Sequence, residues 1–199
     1  MIIVFARAPA PGRAKTRLIP RLGAFGASRL HLRLVLHALA TADAADCGPV
    51  ELQVTARHSL LPCARQQRGG DLGSRMLQAL SAALRKHDRV ILIGSDCPAL
   101  TPADLRRADR LLRGGCDVVL APAEDGGYAL IAARRVSPLL FLGVAWGSPQ
   151  VYAQSVQRLE RLGFRWRALR TVWDVDRPED LDRLKSLRIS SGTRPTARR

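Results

Sequence analysis

The sequence has few aromatic residues, few lysines, and few acidic residues relative to its basic ones. Aromatic residues make up 5% of the chain, and only three of its 32 basic residues are lysines. With 17 acidic residues, the formal net charge is +15 at pH 7. Such a charge favours a phosphate-rich ligand, because clustered cations neutralise phosphates. Nucleic acid is the less favoured partner, since aromatics are scarce and no nucleic-acid-binding motif is recognisable.

Closely spaced cysteines and long apolar runs are absent from the sequence. The four cysteines form no C-x-x-C pair, which argues against zinc or iron–sulfur ligation and against a disulfide framework. No run reaches the roughly 18 apolar residues of a membrane span, and the apolar start at residues 1–6 is too short for a signal peptide. We therefore expect a cytoplasmic protein with no membrane association. No G-x-S-x-G motif is present, which argues against acyl-transfer hydrolysis.

Short apolar runs alternate with helical patterns along the chain. Strands are predicted at residues 2–6, 50–56, 89–94, 117–122, 128–132 and 165–169, and helices around 32–39 and 77–84, from 101, over 149–162 and from 178. This alternation predicts one three-layer α/β/α domain with a mainly parallel sheet over residues 1–187. Residues 188–199 are basic and lack apolar periodicity, so we expect a disordered tail.

Four cations follow the first predicted strand, where a ligand of a parallel sheet is expected. Pro11 would stiffen this loop, and Gly12 would let the backbone approach a ligand closely. The loop matches neither a Rossmann fingerprint nor a Walker A motif. It is a candidate polyphosphate site, with a solvated basic loop as the alternative; its cations are Arg7, Arg13, Lys15 and Arg17.

Acidic residues follow other strands. Asp96 comes directly after the strand at 89–94 and could hold Mg²⁺ against phosphate oxygens, although a turn-capping role is equally compatible. Glu124 and Asp125 precede two glycines, which suits a second ligand or a plain turn. Asp174 and Asp176 lie on one side of an extended stretch, and one of them could complete a metal site. Asp176 is favoured because it is nearer the helix start, with stabilisation of the helix dipole as the alternative.

The glutamine- and glycine-rich loop at residues 66–73 could read the edge of a nucleobase or could be a flexible connection. None of the four histidines lies beside a candidate nucleophile in the sequence.

Taken together and in order, five segments carry a resemblance to a known family. They are Phe5–Leu18 (FARAPAPGRAKTRL), Gly70–Gly73 (GDLG), Gly94–Pro98 (GSDCP), Pro122–Tyr128 (PAEDGGY) and Asp174–Leu181 (DVDRPEDL). The chain resembles a small bacterial family of GT-A-fold glycosyltransferases of the arsenosugar-biosynthesis type. That family is related to molybdenum-cofactor and phospholactate guanylyltransferases. The resemblance covers about residues 1–187 and implies a nucleotide-diphospho-sugar-transferase-like fold.

The resemblance also implies roles for individual residues. Phosphates and nucleotide would be bound by Ala6, Arg7, Pro11, Gly12, Arg13, Lys15, Arg17, Gly70, Asp71, Gly73 and Ser95. Sugar or acceptor would contact Gly126, Gly127 and Tyr128, and Mg²⁺ or Mn²⁺ would be held by Asp96 and Asp176. Glu124, Asp125 and Lys15 would be catalytic.

Two transfer reactions are compatible with these features. The first is a metal-dependent glycosyltransferase that moves a sugar from a nucleotide-diphosphate donor to a small-molecule acceptor. The alternative is a nucleotidyltransferase that joins an NTP to a phosphorylated small molecule and releases pyrophosphate. A scaffold without activity is a further possibility.

Three segments depart from the family pattern and leave donor, acceptor and oligomeric state open. Arg177 replaces a usual capping threonine, Ser74 replaces a usual acid, and residues 146–149 read Trp-Gly-Ser-Pro.

Overall fold

A computed structural model describes residues 1–186 of the chain. The strands are β1 (Ile2–Ala6), β2 (Val50–Val54), β3 (Arg65–Gln66), β4 (Val90–Gly94), β5 (Val118–Pro122), β6 (Tyr128–Ala133) and β7 (Trp166–Ala168). The helices are α1 (Ile19–Ala45), α2 (Leu72–Leu84), α3 (Pro102–Arg113), α4 (Val151–Arg161) and α5 (Asp180–Ser186). Short 3₁₀ turns lie at Thr16–Leu18 and Pro138–Leu140.

The seven strands form one sheet in the order β3-β2-β1-β4-β6-β5-β7. Neighbouring strands are parallel except at β6, which runs antiparallel to both β4 and β5. β1 is central and is buried along its whole length. The prediction of a mainly parallel sheet is therefore confirmed.

Helices cover both faces of this sheet because β-strand side chains alternate between the faces. Ile2 and Val4 of β1 pack with apolar residues of α1 and α3 on one face. Ile3 and Phe5 pack with α2 and α4 on the other face. Burying each such large side chain stabilises the fold by about 1.5–3 kcal/mol. The result is the expected three-layer α/β/α arrangement.

Local sequence patterns predict some helix and strand boundaries correctly and fail to predict others. The helix predicted from residue 101 is observed as α3, and its start is stabilised by a capping box of Thr101 and Asp104. α1 is much longer than its leucine stripe indicates, because the early glycines and proline weaken the helical pattern; Gly23 breaks the helical geometry with φ 69°. β3 is missed by the prediction, since two exposed polar residues carry no strand pattern.

The last helix begins at Asp180 rather than at Pro178. Its start is capped from within the helix, because a carboxylate oxygen of Asp180 accepts the backbone N–H groups of Asp176 and Arg177 at 2.9 Å and 2.6 Å. This contact holds the backbone that leads into α5; it is not the bond of a capping threonine, whose hydroxyl would accept an N–H group of the first helical turn. The predicted tail at 188–199 lies outside the described residues.

Within residues 1–186, no helix combines the length and the apolar character that crossing a membrane requires.

Candidate functional site

Four chain segments meet at the carboxyl end of the central strands. The Ser95 N–H donates to the Phe5 carbonyl at 3.0 Å, which places the end of β4 beside the end of β1. The Val175 N–H donates to the Asp96 carbonyl at 2.9 Å, and the Glu124 N–H donates to the Val172 carbonyl at 3.0 Å. The loops after β1, β4 and β5 therefore lie beside the segment at 172–176, where strand ends place ligands in sheets of this kind.

Lys15 and Asp96 form the centre of this arrangement. The Lys15 side chain is buried, lies 2.9 Å from Asp96 Oδ2, and donates a hydrogen bond to the Val175 carbonyl. Lys15 adopts the left-handed conformation, with φ 51° and ψ 46°, which costs a non-glycine residue about 1–2 kcal/mol. This unusual backbone aims the ammonium group of the loop at the end of β4. The two residues singled out in the sequence thus come together.

The charge of Asp96 is stabilised by its neighbours. Burial favours the neutral carboxyl, but the nearby Lys15 ammonium and contact with His31 outweigh it and hold the pKa of Asp96 well below its usual range. Ser95 Oγ lies 3.3 Å from Asp96 Oδ1, so Ser95 contacts the same carboxylate. Asp96 is therefore an anion, and its side chain is 44% exposed.

His31 is a site residue that the sequence analysis does not find. It lies on α1, is 1% exposed, and its Nε2 lies 2.9 Å from the Arg7 carbonyl. Its Nδ1 lies 3.5 Å from Asp96 Oδ1. In the sequence His31 is one more residue of a helical pattern, so no local signal marks it.

The other cations of the first loop differ in their surroundings. Arg17 pairs with Asp176 at the exposed side of the site. Arg7 and Arg13 are exposed and form no ion pair with any residue of the described chain. Two further predicted phosphate-binding residues, Pro11 and Gly12, are exposed in the same loop. Arg7 and Arg13 are thus available to an anionic ligand.

Asp174 differs from Asp96 in that its pKa is raised rather than lowered. Burial raises its pKa to about 6, with repulsion from Asp125 and Asp176 adding to the effect and Lys15 opposing it. The backbone on both sides of Asp174 is held at the site, because the Val175 carbonyl accepts from Lys15 and the Trp173 carbonyl accepts from the Cys97 thiol. Asp176, favoured by the sequence analysis, has Arg17 as its partner instead.

The turn between β5 and β6 holds the predicted acceptor-side residues. Glu124 forms a two-point ion pair with Arg183 of α5, at 2.7 Å and 3.0 Å, which lowers the pKa of Glu124. Asp125 Oδ1 accepts the Gly127 N–H at 2.8 Å, as expected for a turn stabilised by an aspartate side chain. Gly126 has φ 87° and lies directly against the Pro149 carbonyl.

Tyr128 and Gly73 occupy packing positions. The Tyr128 ring meets the Trp146 ring edge-to-face at a centroid distance of 6.4 Å, and burial raises the pKa of the Tyr128 hydroxyl. Gly73 is buried in the first turn of α2, where a Cβ would overlap the Trp146 indole. These contacts explain both residues without a ligand.

The loop at residues 66–73 is ordered by its own contacts. The Gln67 amide donates to the carbonyls of Ala6 and Gln53 at 3.1 Å and 3.0 Å, which ties the loop to the end of β1. Asp71 caps α2 by accepting the Ser74 N–H at 2.7 Å. Gly70 is exposed. A cavity of about 1360 Å³ opens beside this loop, between β2, β3 and α2.

Comparison with known proteins identifies relatives of the chain. The family profile described as "Uncharacterized protein conserved in bacteria (DUF2064)" matches residues 24–148. A crystal structure from Desulfovibrio desulfuricans G20, provisionally named a nucleotide-diphospho-sugar transferase, is 30% identical with a TM-score of 0.85 over 98% of this chain and 90% of that chain. No curated protein gives a significant sequence match.

Two more distant structures share the fold. A nucleotidyl transferase from Methanothermobacter thermautotrophicus is 18% identical with a TM-score of 0.61, over 94% of this chain and 96% of that one. A CMP:2-keto-3-deoxy-manno-octonic acid synthetase complexed with CTP is 14% identical with a TM-score of 0.57 over the same shares. The expected nucleotide-diphospho-sugar-transferase-like fold is therefore confirmed. On the strength of the profile and of the Desulfovibrio relative, the chain belongs to the DUF2064 family of bacterial proteins.

Proposed function

We propose that the chain is a metal-dependent glycosyltransferase that moves a sugar from a nucleotide-diphosphate donor to a small-molecule acceptor. The observation that carries the proposal is the contact of Lys15 with both Asp96 and the backbone of the segment that carries Asp174, at the carboxyl end of the sheet. Two exposed arginines of the same loop, Arg7 and Arg13, have no ion-pair partner in the described chain. The 30% identical relative supports the nucleotide-sugar donor. The arsenosugar-biosynthesis type suggested by the sequence motifs is part of this proposal.

The acids of the site suit a divalent cation. Asp174 is partly buried and repelled by Asp125 and Asp176, an excess of negative charge that a cation would relieve. No group of three or more potential ligands is preassembled among residues 1–186. Mg²⁺ and Mn²⁺ often use one or two carboxylates and complete their coordination with substrate phosphates. We therefore propose Asp96 and Asp174 as the ligands, with Asp176 as the alternative that the sequence favours.

The bound cation would neutralise the diphosphate and stabilise the departing nucleotide. Lys15 would add a fixed positive charge beside Asp96, in a position set before the substrate arrives. Arg7 and Arg13 would bind the remaining phosphate oxygens. Asp125 is the better candidate to orient the acceptor hydroxyl, because Glu124 is held in its ion pair with Arg183.

A nucleotidyltransferase is the second candidate. It is favoured by the number of cations in the first loop, since Arg7, Arg13 and Lys15 together suit a triphosphate at least as well as a diphosphate. In this reaction the same site would bind an NTP, and pyrophosphate would leave.

A thermal-shift panel of NTPs and NDP-sugars with Mn²⁺ tests both candidates. A ligand at 100 times its Kd stabilises the folded state by about 2.7 kcal/mol. For a domain of this size that stabilisation raises Tm by roughly 5–11 °C. Stabilisation by an NDP-sugar supports the first proposal, and stabilisation by NTPs alone supports the second. If neither class stabilises the protein with Mn²⁺, both are wrong.

Substitutions then separate the two possible metal ligands. D174N is expected to lower the Mn²⁺-dependent affinity for the stabilising nucleotide at least tenfold, and D176N to change it less than threefold. D88N is the matched control, because Asp88 is exposed and precedes β4 at the opposite end of the sheet. The reverse order of effects would make Asp176 the ligand, as the sequence predicts.

A further inference from the structure

We propose that His31 is a positioning residue that orients the Asp96 carboxylate relative to the phosphate-binding loop. The inference rests on the proposed function, since it assigns His31 a task in binding a cation and a diphosphate at that site. It adds a residue of α1 to a site otherwise built from loops at strand ends.

One ring nitrogen of His31 contacts the backbone of the loop after β1. Nε2 lies 2.9 Å from the Arg7 carbonyl. A carbonyl oxygen can only accept a hydrogen bond, so Nε2 carries a proton in this contact. One turn earlier on α1, the Ser28 hydroxyl donates to the Pro9 carbonyl. Two neighbouring side chains of α1 therefore hold the backbone of the loop.

The other ring nitrogen faces the reaction centre. Nδ1 is buried and has no hydrogen-bond partner among residues 1–186. It lies 3.5 Å from Asp96 Oδ1, too far for a strong hydrogen bond. Because a carboxylate oxygen only accepts, the orienting contact that we propose requires Nδ1 to carry a proton as well and to donate it to Asp96. A buried polar atom without a partner is destabilising, so its retention here calls for a reason. Contacts at enzyme sites are often long without ligand and shorten when the ligand binds.

The two carboxylate oxygens of Asp96 thus face residues from two different parts of the chain. Lys15, from the loop itself, lies 2.9 Å from Oδ2, whereas His31, from α1, faces Oδ1. The ring of His31 therefore connects the Arg7 carbonyl to the Asp96 carboxylate. Through this connection α1 sets the spacing between the phosphate-binding loop and the proposed cation ligand.

The experiment measures binding of inorganic pyrophosphate by calorimetry, with and without Mn²⁺. Pyrophosphate carries the diphosphate group that NTPs and NDP-sugars share, so the result does not depend on the base or sugar. In H31Q the amide nitrogen takes the place of Nε2 and keeps the Arg7 contact, but no group faces Asp96. In H31N the amide reaches only the place of Nδ1, so the contact with Asp96 is kept.

Mn²⁺ is expected to raise the affinity for pyrophosphate, and we expect this gain to be at least tenfold smaller in H31Q than in the wild-type protein. The affinity measured without Mn²⁺ should change less than threefold. H31N should recover most of that gain. In a D96N background, H31Q should have no further effect, because His31 acts through Asp96. H37Q is the matched control, since His37 lies on the same helix and contacts a backbone carbonyl, that of Pro98.

Three results would overturn the inference. The first is an unchanged Mn²⁺ effect in H31Q, and the second is an equal loss in H31Q and H31N. The third is an additive loss in the H31Q/D96N double variant. If H31Q does not fold, H31N is compared with D96N instead. The inference then requires that Mn²⁺ increases the pyrophosphate affinity of H31N more than that of D96N. Failure of the wild-type protein to bind pyrophosphate with Mn²⁺ would instead refute the proposed function itself.

Discussion

Replacing Gly126 by alanine should destabilise the protein far more than replacing Gly12, although both glycines belong to predicted ligand-binding motifs. Both have positive φ, 87° and 76° respectively. Backbone strain should therefore lower the free energy of unfolding by a similar amount, about 1–2 kcal/mol, when alanine is placed at either position. Gly12 is thus a control for backbone strain alone.

The two positions differ in the space available for a Cβ atom. At Gly126 it would lie 2.6 Å from the Pro149 carbonyl carbon and closer still to the carbonyl oxygen, whereas at Gly12 nothing lies within 4 Å. Because the obstacle at Gly126 is backbone, it cannot be relieved by a rotamer change. Overpacking of this kind costs about 1–3 kcal/mol. That is the expected difference between the two variants in the free energy of unfolding.

Urea denaturation of G126A and G12A without ligand measures this difference, since the shared backbone strain cancels. In thermal unfolding it corresponds to roughly 2–12 °C in Tm. Equal stability of the two variants would refute the packing argument. If G126A were as stable as G12A but had lost nucleotide-sugar binding, Gly126 would be a ligand contact, as the sequence motif suggests.

Two further predictions concern packing and reactivity. G73A should lower the free energy of unfolding by about 1–3 kcal/mol, because its Cβ would lie 2.6 Å from Trp146 Cε2. In a double-mutant cycle, W146F should recover at least about 0.5 kcal/mol of that loss. Additive effects of the two substitutions would contradict the contact. Burial raises the pKa of the Cys97 thiol to about 12, so Cys97 should stay protonated and resist a thiol reagent at pH 8, while exposed Cys63 reacts. Mass spectrometry of the labelled protein checks this, and equal labelling of both cysteines would show that Cys97 is accessible.

Much of the fold follows from local patterns in the sequence. The buried strand Ile2–Ala6 and the helix start at Thr101 are determined by residues close together in the chain, and both occur as predicted. The same holds for Lys15 and Asp96 as site candidates, because each follows a buried strand whose carboxyl end borders the site. A two-residue polar strand such as β3 leaves no such pattern and is missed.

The surroundings of individual side chains are decided by contacts between residues distant in the chain. Lys15 and Val175 are 160 positions apart, yet a hydrogen bond joins them. No spacing rule links His31 to Asp96, or distinguishes Asp174 from Asp176. Those distinctions depend on burial and on neighbouring charges, which exist only once the chain is folded. The sequence by itself determined the strands and the loops that carry the candidate residues, and the tertiary structure decided which of those residues face one another.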